Sequence, residues 1–253
     1  MCGRFSLAVS RHEIAEQFHV DDIVADVDPR RFNVAPSQQV LAVATSTDGS
    51  RRRLGNLQWG LVPPWAKDPS IGNRMVNARA ETAATKPAYR NAFARRRCLL
   101  PASGYFEWAS SGERGGRPKK VPFYFRRKDG LLLAIGGLWE VWHGPVEQTL
   151  RTCTILTTDA NRLGVEVHDR MPVLVPEELW DQWLAPEPLG VVARTAAVAP
   201  APDDLLEMVR VSDRVNDPRH EGEDLVAPVA TSEEGGAPGA GAPEAVKPEA
   251  VAE

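Results

Sequence analysis

Short β-branched or aromatic runs, each bounded by turn residues, occupy most of this chain and never alternate regularly with helices. Residues 40–45, 56–62, 98–101, 122–127, 131–142 and 151–158 read as strands in this way. The 131–142 run contains Gly136-Gly137, which predicts a break in it. Helical signals are fewer. Ser10 three residues before Glu13 is a capping box opening a helix over 10–18. Residues 80–95 carry helical stretches around Pro87, and Pro176 followed by Glu177 and Glu178 starts a helix over 176–184. A parallel α/β sheet needs a helical crossover between successive strands, and this order does not provide one. The expectation is a single-domain α+β fold around a curved antiparallel or mixed β-sheet, barrel-like, with peripheral helices.

That domain is expected over residues 1–227. From Pro228 the sequence turns to Ala, Gly, Pro, Glu and Val without an aromatic residue, the composition of a disordered tail over 228–253. The tail holds five glutamates and one lysine, so the formal charge of −4 belongs to it and the body is neutral. Basic residues cluster at 51–53, 95–97 and 117–120, where they form either a phosphate-binding face or ordinary solvated surface. Residues 112–116 read as an exposed loop, and no internal repeat is visible. No run approaches the roughly 20 apolar residues of a membrane span, and Arg4, Arg11, His12 and Glu13 interrupt any signal-peptide core. A soluble, cytoplasmic protein is expected. Cys2, Cys98 and Cys153 are odd in number and lack metal-binding spacing, so neither a disulfide framework nor a zinc site is expected; Cys98 and Cys153 lie in apolar runs and read as core.

Four places carry chemistry. Loss of Met1 would leave Cys2 with a thiol and a free α-amino group on one residue. These titrate near about 8.5 and about 7.7–8.0, so both are available as nucleophiles at neutral pH. Such a 1,2-aminothiol captures aldehydes, first as a Schiff base and then as a five-membered thiazolidine; the plain alternative is a frayed terminus. Asn77-Ala78-Arg79-Ala80-Glu81 follows a strand-like 74–76 stretch and opens a helix, gathering an amide, a guanidinium and a carboxylate, or merely a cap and an ion pair. Glu107 sits between Phe106 and Trp108, where desolvation would raise its pKa toward the acid–base range, unless strand alternation points it at solvent. His168 is suited to carrying protons, and Arg170, two residues on, shares its face if the stretch is extended.

In order along the chain, Cys2-Gly3-Arg4-Phe5, Arg31-Phe32-Asn33-Val34-Ala35-Pro36, Trp59-Gly60-Leu61 with Pro64-Trp65, Asn77 to Glu81, Gly104-Tyr105-Phe106-Glu107-Trp108 and His168-Asp169-Arg170-Met171-Pro172 resemble the SOS response-associated peptidase (SRAP) family over about residues 2–217. The resemblance implies an abasic-site processing protein of the DNA damage response that crosslinks to single-stranded DNA. It implies Cys2 as nucleophile, Asn77 orienting its amine, Glu107 moving the proton of sugar ring opening and His168 handling protons at the imine. Arg4, Arg79 and Arg170 would hold phosphates, and Trp65, Phe106 and Trp108 would stack on bases. Lyase activity would follow if the thiazolidine fails to close, and Met1 would be removed by self-processing or by an aminopeptidase. No cofactor or metal is expected, and the protein is expected to act as a monomer. Two other readings stay open. Met-Cys-Gly also begins glutamine amidotransferases, although the Asn-Gly pair expected downstream is not seen. A non-covalent single-strand binding module would use the arginine clusters alone.

Overall fold

The computed structural model describes residues 2–28, 30–46, 48–114, 117–145 and 147–229. In chain order the elements are β1 (Phe5–Leu7), α1 (Arg11–Gln17), β2 (Asp22–Ile23), β3 (Arg31–Val34), β4 (Gln39–Thr45), β5 (Arg52–Trp59), β6 (Asn77–Arg79), α2 (Ala80–Ala83) and α3 (Arg90–Arg95). There follow β7 (Arg97–Ala102), β8 (Gly104–Arg114), β9 (Arg117–Arg127), β10 (Leu133–His143), β11 (Thr149–Asp159), β12 (Arg170–Pro172), α4 (Trp180–Leu184), α5 (Val191–Ala197) and β13 (Leu206–Arg210). The expected α+β architecture is present. One sheet runs β13-β9-β8-β1-β3, and a larger one runs β12-β11-β10-β7-β4-β5-β2 with β6 attached to β11. A short parallel pairing of β11 with β5, Thr152 to Gln58 and Cys153 to Trp59, closes the larger sheet on itself. The barrel-like shape follows from that closure.

The capping box is formed: the Glu13 N–H donates to Ser10 Oγ at 3.2 Å and the Ser10 N–H to Glu13 Oε2 at 2.8 Å. Other local expectations are corrected. Gly136-Gly137 does not break β10. A Cβ on Gly137 would lie 2.4 Å from Leu100 Cδ1, so glycine there permits close packing of β7 against an unbroken strand. Asn77-Ala78-Arg79 is itself the strand, entered from a 3₁₀ turn over Pro69–Arg74. Pro176 precedes a 3₁₀ turn, Glu177–Leu179, and the α-helix begins only at Trp180. Residues 112–114 extend β8, so the 112–116 loop reading fails for them, while 115 and 116 lie outside the described residues. The tail reading lies outside them from residue 230 onward.

The basic clusters at 51–53 and 95–97 are largely consumed inside the fold. Arg51 and Arg53 pair with Asp22, Arg52 with Asp181 and Arg96 with Glu140. Arg97 is 2% exposed and donates only to backbone carbonyls, those of Phe93, Ala94, Trp183, Ala185 and Glu187. Cys98 and Cys153 are buried core thiols, as their apolar surroundings implied. Past β13, residues 211–226 form a strap whose Val215 and Leu225 bury against Phe106 and Tyr124 on the outer face of β8 and β9. Among the described residues, no helix is long and apolar enough to cross a membrane.

Candidate active site

The site begins with β1, which pairs with β3 on one edge and β8 on the other. The Phe5–Tyr105 register runs antiparallel and brings Cys2 and Arg4 alongside Glu107; the Phe106 N–H donates to the Arg4 carbonyl at 2.9 Å. Alternation along β8 then decides between the two readings of Glu107. Phe106 and Trp108 turn to the outer apolar cluster beneath the strap, while Tyr105 belongs to the main core. Glu107 shares the face of Tyr105 and is 4% exposed. Cys2 is fully buried.

The larger sheet supplies the other half. β6 lies parallel to β11 with Asn77 opposite Ile155, and the Asn77 Nδ2 donates to the Cys2 carbonyl at 2.8 Å, across the seam between the sheets. β12 pairs with the end of β11, Arg170 opposite Asp159, which fixes the chain immediately after His168. Two neighbours make opposite demands on His168 Nδ1. The Arg170 N–H lies 3.0 Å away and suits an unprotonated nitrogen; Asp169 Oδ1 lies 2.8 Å away and suits a protonated one.

Burial pushes the Cys2 thiol well above its ordinary pKa, and the negative charge of Glu107 adds to the shift. Burial also raises the Glu107 carboxyl, with the positive charge of His168 among the effects opposing it. Arg4 is lowered by burial, an effect that Asp217 partly offsets.

Arg4, Glu107 and His168 line one open cavity of about 510 Å³ together with Trp108, Lys120 and Asn216. Cys2 and Asn77 meet beside it through the bond just described. Arg170 stands apart from the expected phosphate-holding role. It is 9% exposed and grips Glu81 through both ends of its guanidinium (2.7 and 2.9 Å), Asp159 (2.5 Å) and the Thr157 carbonyl (2.6 Å). Its charge is spent inside the protein, where it locks the strand that follows His168. Arg79 is exposed at the end of β6, and Trp65 is 61% exposed on the loop after β5; neither lines this cavity. Phe106 is fully buried and not available to stack.

Asn33 and Asn216 were not anticipated. The former lay within a motif without an assigned task, and the latter falls in a segment with no pattern of its own. A larger depression of about 620 Å³ lies elsewhere, where Arg52 pairs with Asp181 and Asp48 accepts from the Ser50 N–H. Among the described residues, no group of three or more His, Cys, Asp or Glu side chains is arranged to hold a metal ion.

Known proteins resemble this chain over nearly its whole folded length. The family model described as SOS response associated peptidase (SRAP) matches residues 1–218. The abasic site processing protein YoqW of Bacillus subtilis is 40% identical over 227 residues, covering 89% of this chain and 99% of that protein. The abasic site processing protein YedK of Escherichia coli is 31% identical, covering 90% of this chain and all of that protein. A crystal structure of a protein from Bacteroides thetaiotaomicron superimposes with a TM-score of 0.78 over 90% of this chain and 100% of the other; at 22% identity this likeness speaks to the fold. Family model, relatives and fold agree, and the chain belongs to the SOS response associated peptidase (SRAP) family.

Proposed function

We propose that this protein processes abasic sites in single-stranded DNA, and that after loss of Met1 its Cys2 captures the ring-opened sugar as a thiazolidine crosslink. The observation that carries the reading is the convergence on Cys2: its carbonyl is pinned by Asn77, and the buried carboxyl of Glu107 lies close enough to act on its thiol. An abasic sugar is mostly a closed hemiacetal. Glu107, whose pKa is raised by burial, gives a proton to the ring oxygen as the C1′–O4′ bond breaks, and the carboxylate so formed takes the proton of the C1′ hydroxyl as the aldehyde C=O forms. The Cys2 amine attacks the resulting aldehyde, and His168 moves the protons that turn the carbinolamine into an imine and water. The thiol then adds across the C=N bond, its sulfur bonding to C1′ and its proton passing to nitrogen.

Exposed Arg79, together with Arg4 and Lys120 at the cavity, would hold phosphates, which gives affinity without base selectivity. All of these groups come from one chain, which supports action as a monomer. If ring closure fails, the imine at C1′ is open to β-elimination and strand scission.

Intact mass spectrometry before and after incubation with abasic single-stranded DNA tests the reading, because it reports Met1 loss and covalent capture together. The wild-type protein should gain the mass of the DNA less one water. Cys2→Ser should give only an imine that borohydride traps, with some strand cleavage. A full, heat-stable adduct from Cys2→Ser would sink the thiazolidine.

A further inference from the structure

The motif around Asn33 has no part in the chemistry above, yet Asn33 is fully buried and uses both ends of its amide. Its Oδ1 accepts from Arg4 Nη1 at 2.6 Å. Its Nδ2 faces the carbonyls of Val215, Asp217 and His220 at 3.3, 3.0 and 3.0 Å, all on the strap. Arg4 Nη1 donates as well to the Val215 carbonyl at 2.8 Å, and its guanidinium lies 5.9 Å from the centre of the Trp108 ring. Trp108 in turn donates from its indole to Asn216 Oδ1 at 2.6 Å. These contacts fix the plane of the Arg4 guanidinium and the position of Asn216, and both residues line the cavity. Arg4 Nη2 has no hydrogen-bond partner among the described residues, so it remains for a ligand.

We infer that Asn33 is a positioning residue for DNA binding: it sets the Arg4 guanidinium as a preformed phosphate receptor two residues from Cys2 and clamps the strap that carries Asn216 as the adjoining wall. A planar guanidinium recognises phosphate through a fixed pair of N–H groups, and that advantage exists only if its plane is held before the ligand arrives. Asn33 holds it from behind while itself lying out of reach of DNA. This inference rests on the abasic-site reading. Adduct formation by the wild-type protein tests that reading, and the ratios among variants test the inference.

The measurements are equilibrium affinity for single-stranded DNA carrying a non-reactive tetrahydrofuran abasic analogue, its salt dependence, and the adduct rate at saturating abasic DNA. Asn33→Ala should weaken affinity about tenfold, the scale for a misplaced charge-assisted hydrogen bond, and lower the salt slope by about one phosphate. The saturated adduct rate should stay within about twofold of wild type. Adding Asn33→Ala to Arg4→Ala should cost far less than the two separate losses combined, because the main effect of Asn33 on phosphate binding runs through Arg4. Glu221→Ala loosens the strap elsewhere, removing the acceptor of the Phe32 N–H at 2.6 Å, and should lower thermal stability while leaving affinity and salt slope unchanged. Additive losses in the Arg4 and Asn33 double variant, or an affinity loss with an unchanged salt slope, would overturn the inference. If Asn33→Ala does not fold, Arg4→Lys decides. It keeps the charge and leaves the bonds from Asn33 to the strap in place, yet should lose affinity about as much as Arg4→Ala; wild-type affinity in Arg4→Lys would refute a role for the held plane.

Discussion

Arg97 and Arg170 are both buried arginines, and their surroundings could hardly differ more. Arg97 is ringed by five backbone carbonyls that tie together the end of α3 and the chain around and after α4. The bonded groups are neutral carbonyls, and burial, opposed by the charge of Glu187, pulls its pKa down to about 10, leaving it charged at neutral pH. Burial opposes the charge of Arg170 too, but Glu81 and Asp159 outweigh it and raise its pKa. One guanidinium serves as a donor cluster for orphaned carbonyls; the other is a counter-charge in a network beside the reacting groups. The difference teaches that burial of an arginine says little until the charge of its partners is known.

The largest effect should come from the neutral-partner end. Arg97→Met leaves five carbonyls in a dry interior and should cost roughly 3–5 kcal/mol in denaturant unfolding. The molecules that remain folded should crosslink at the normal rate. A loss below about 1 kcal/mol would erase the contrast.

Glu107→Gln is the mirror image. It should slow adduct formation by about 10²-fold or more, since the amide cannot donate the ring-opening proton. Its unfolding midpoint should hold or rise, because a buried ionisable group has been replaced by a neutral one of the same shape. Loss of stability with unchanged kinetics would reverse the assignments of the two regions.

Acid should then tell the two arginines apart. Hydrogen bonding from Arg170 lowers the Glu81 pKa, so this pair contributes stability above the unfolded glutamate value of about 4.3 and loses it as pH falls through the lowered folded value. Glu107, raised in the fold, has the opposite sign: its contribution is full below about 4.3 and fades as pH rises through its folded value. Around Arg97 the acid is Glu187, which is bonded through its main-chain carbonyl and acts on the guanidinium only through its charge, so the acid response there should be smaller. Urea midpoints from about pH 7 to about pH 3 should therefore fall less steeply in Glu81→Gln than in wild type.

The smallest effect belongs to an exposed arginine whose link to these acids is only a through-space attraction to Glu81. Arg79→Ala should leave thermal stability within about 0.5 kcal/mol and lower the salt slope of DNA binding by about one. Substituting Arg170 should not change that slope, since its charge is already compensated.

Local periodicity made part of this legible. The strand-rich centre, the capped first helix and the burial of Cys98 and Cys153 are short-range consequences of residue type. Glu107 was ambiguous because alternation gives two faces and only the pairing of β8 with β1 and β9 says which is inside. Arg170 looked like a ligand for phosphate because its spacing from His168 is visible in sequence, whereas Glu81, 89 residues away, is not. The closure of β11 on β5 and the reach of Asn33 to the strap across about 180 residues are likewise tertiary facts without a local signature. Gly136-Gly137 misled for a related reason, since glycine weakens an isolated strand but here allows two strands to pack closely.

β1 has a mechanical consequence. A terminal strand at the rim of a sheet can be peeled away one bond at a time, but this one lies in the interior of its sheet with β8 and β3 on either side. Under the proposed crosslink, any pull on the nucleic acid joined to Cys2 would therefore be transmitted into two neighbouring strands at once. Load shared along both edges is resisted as shear, so the attachment point would hold while the nucleic acid stretches.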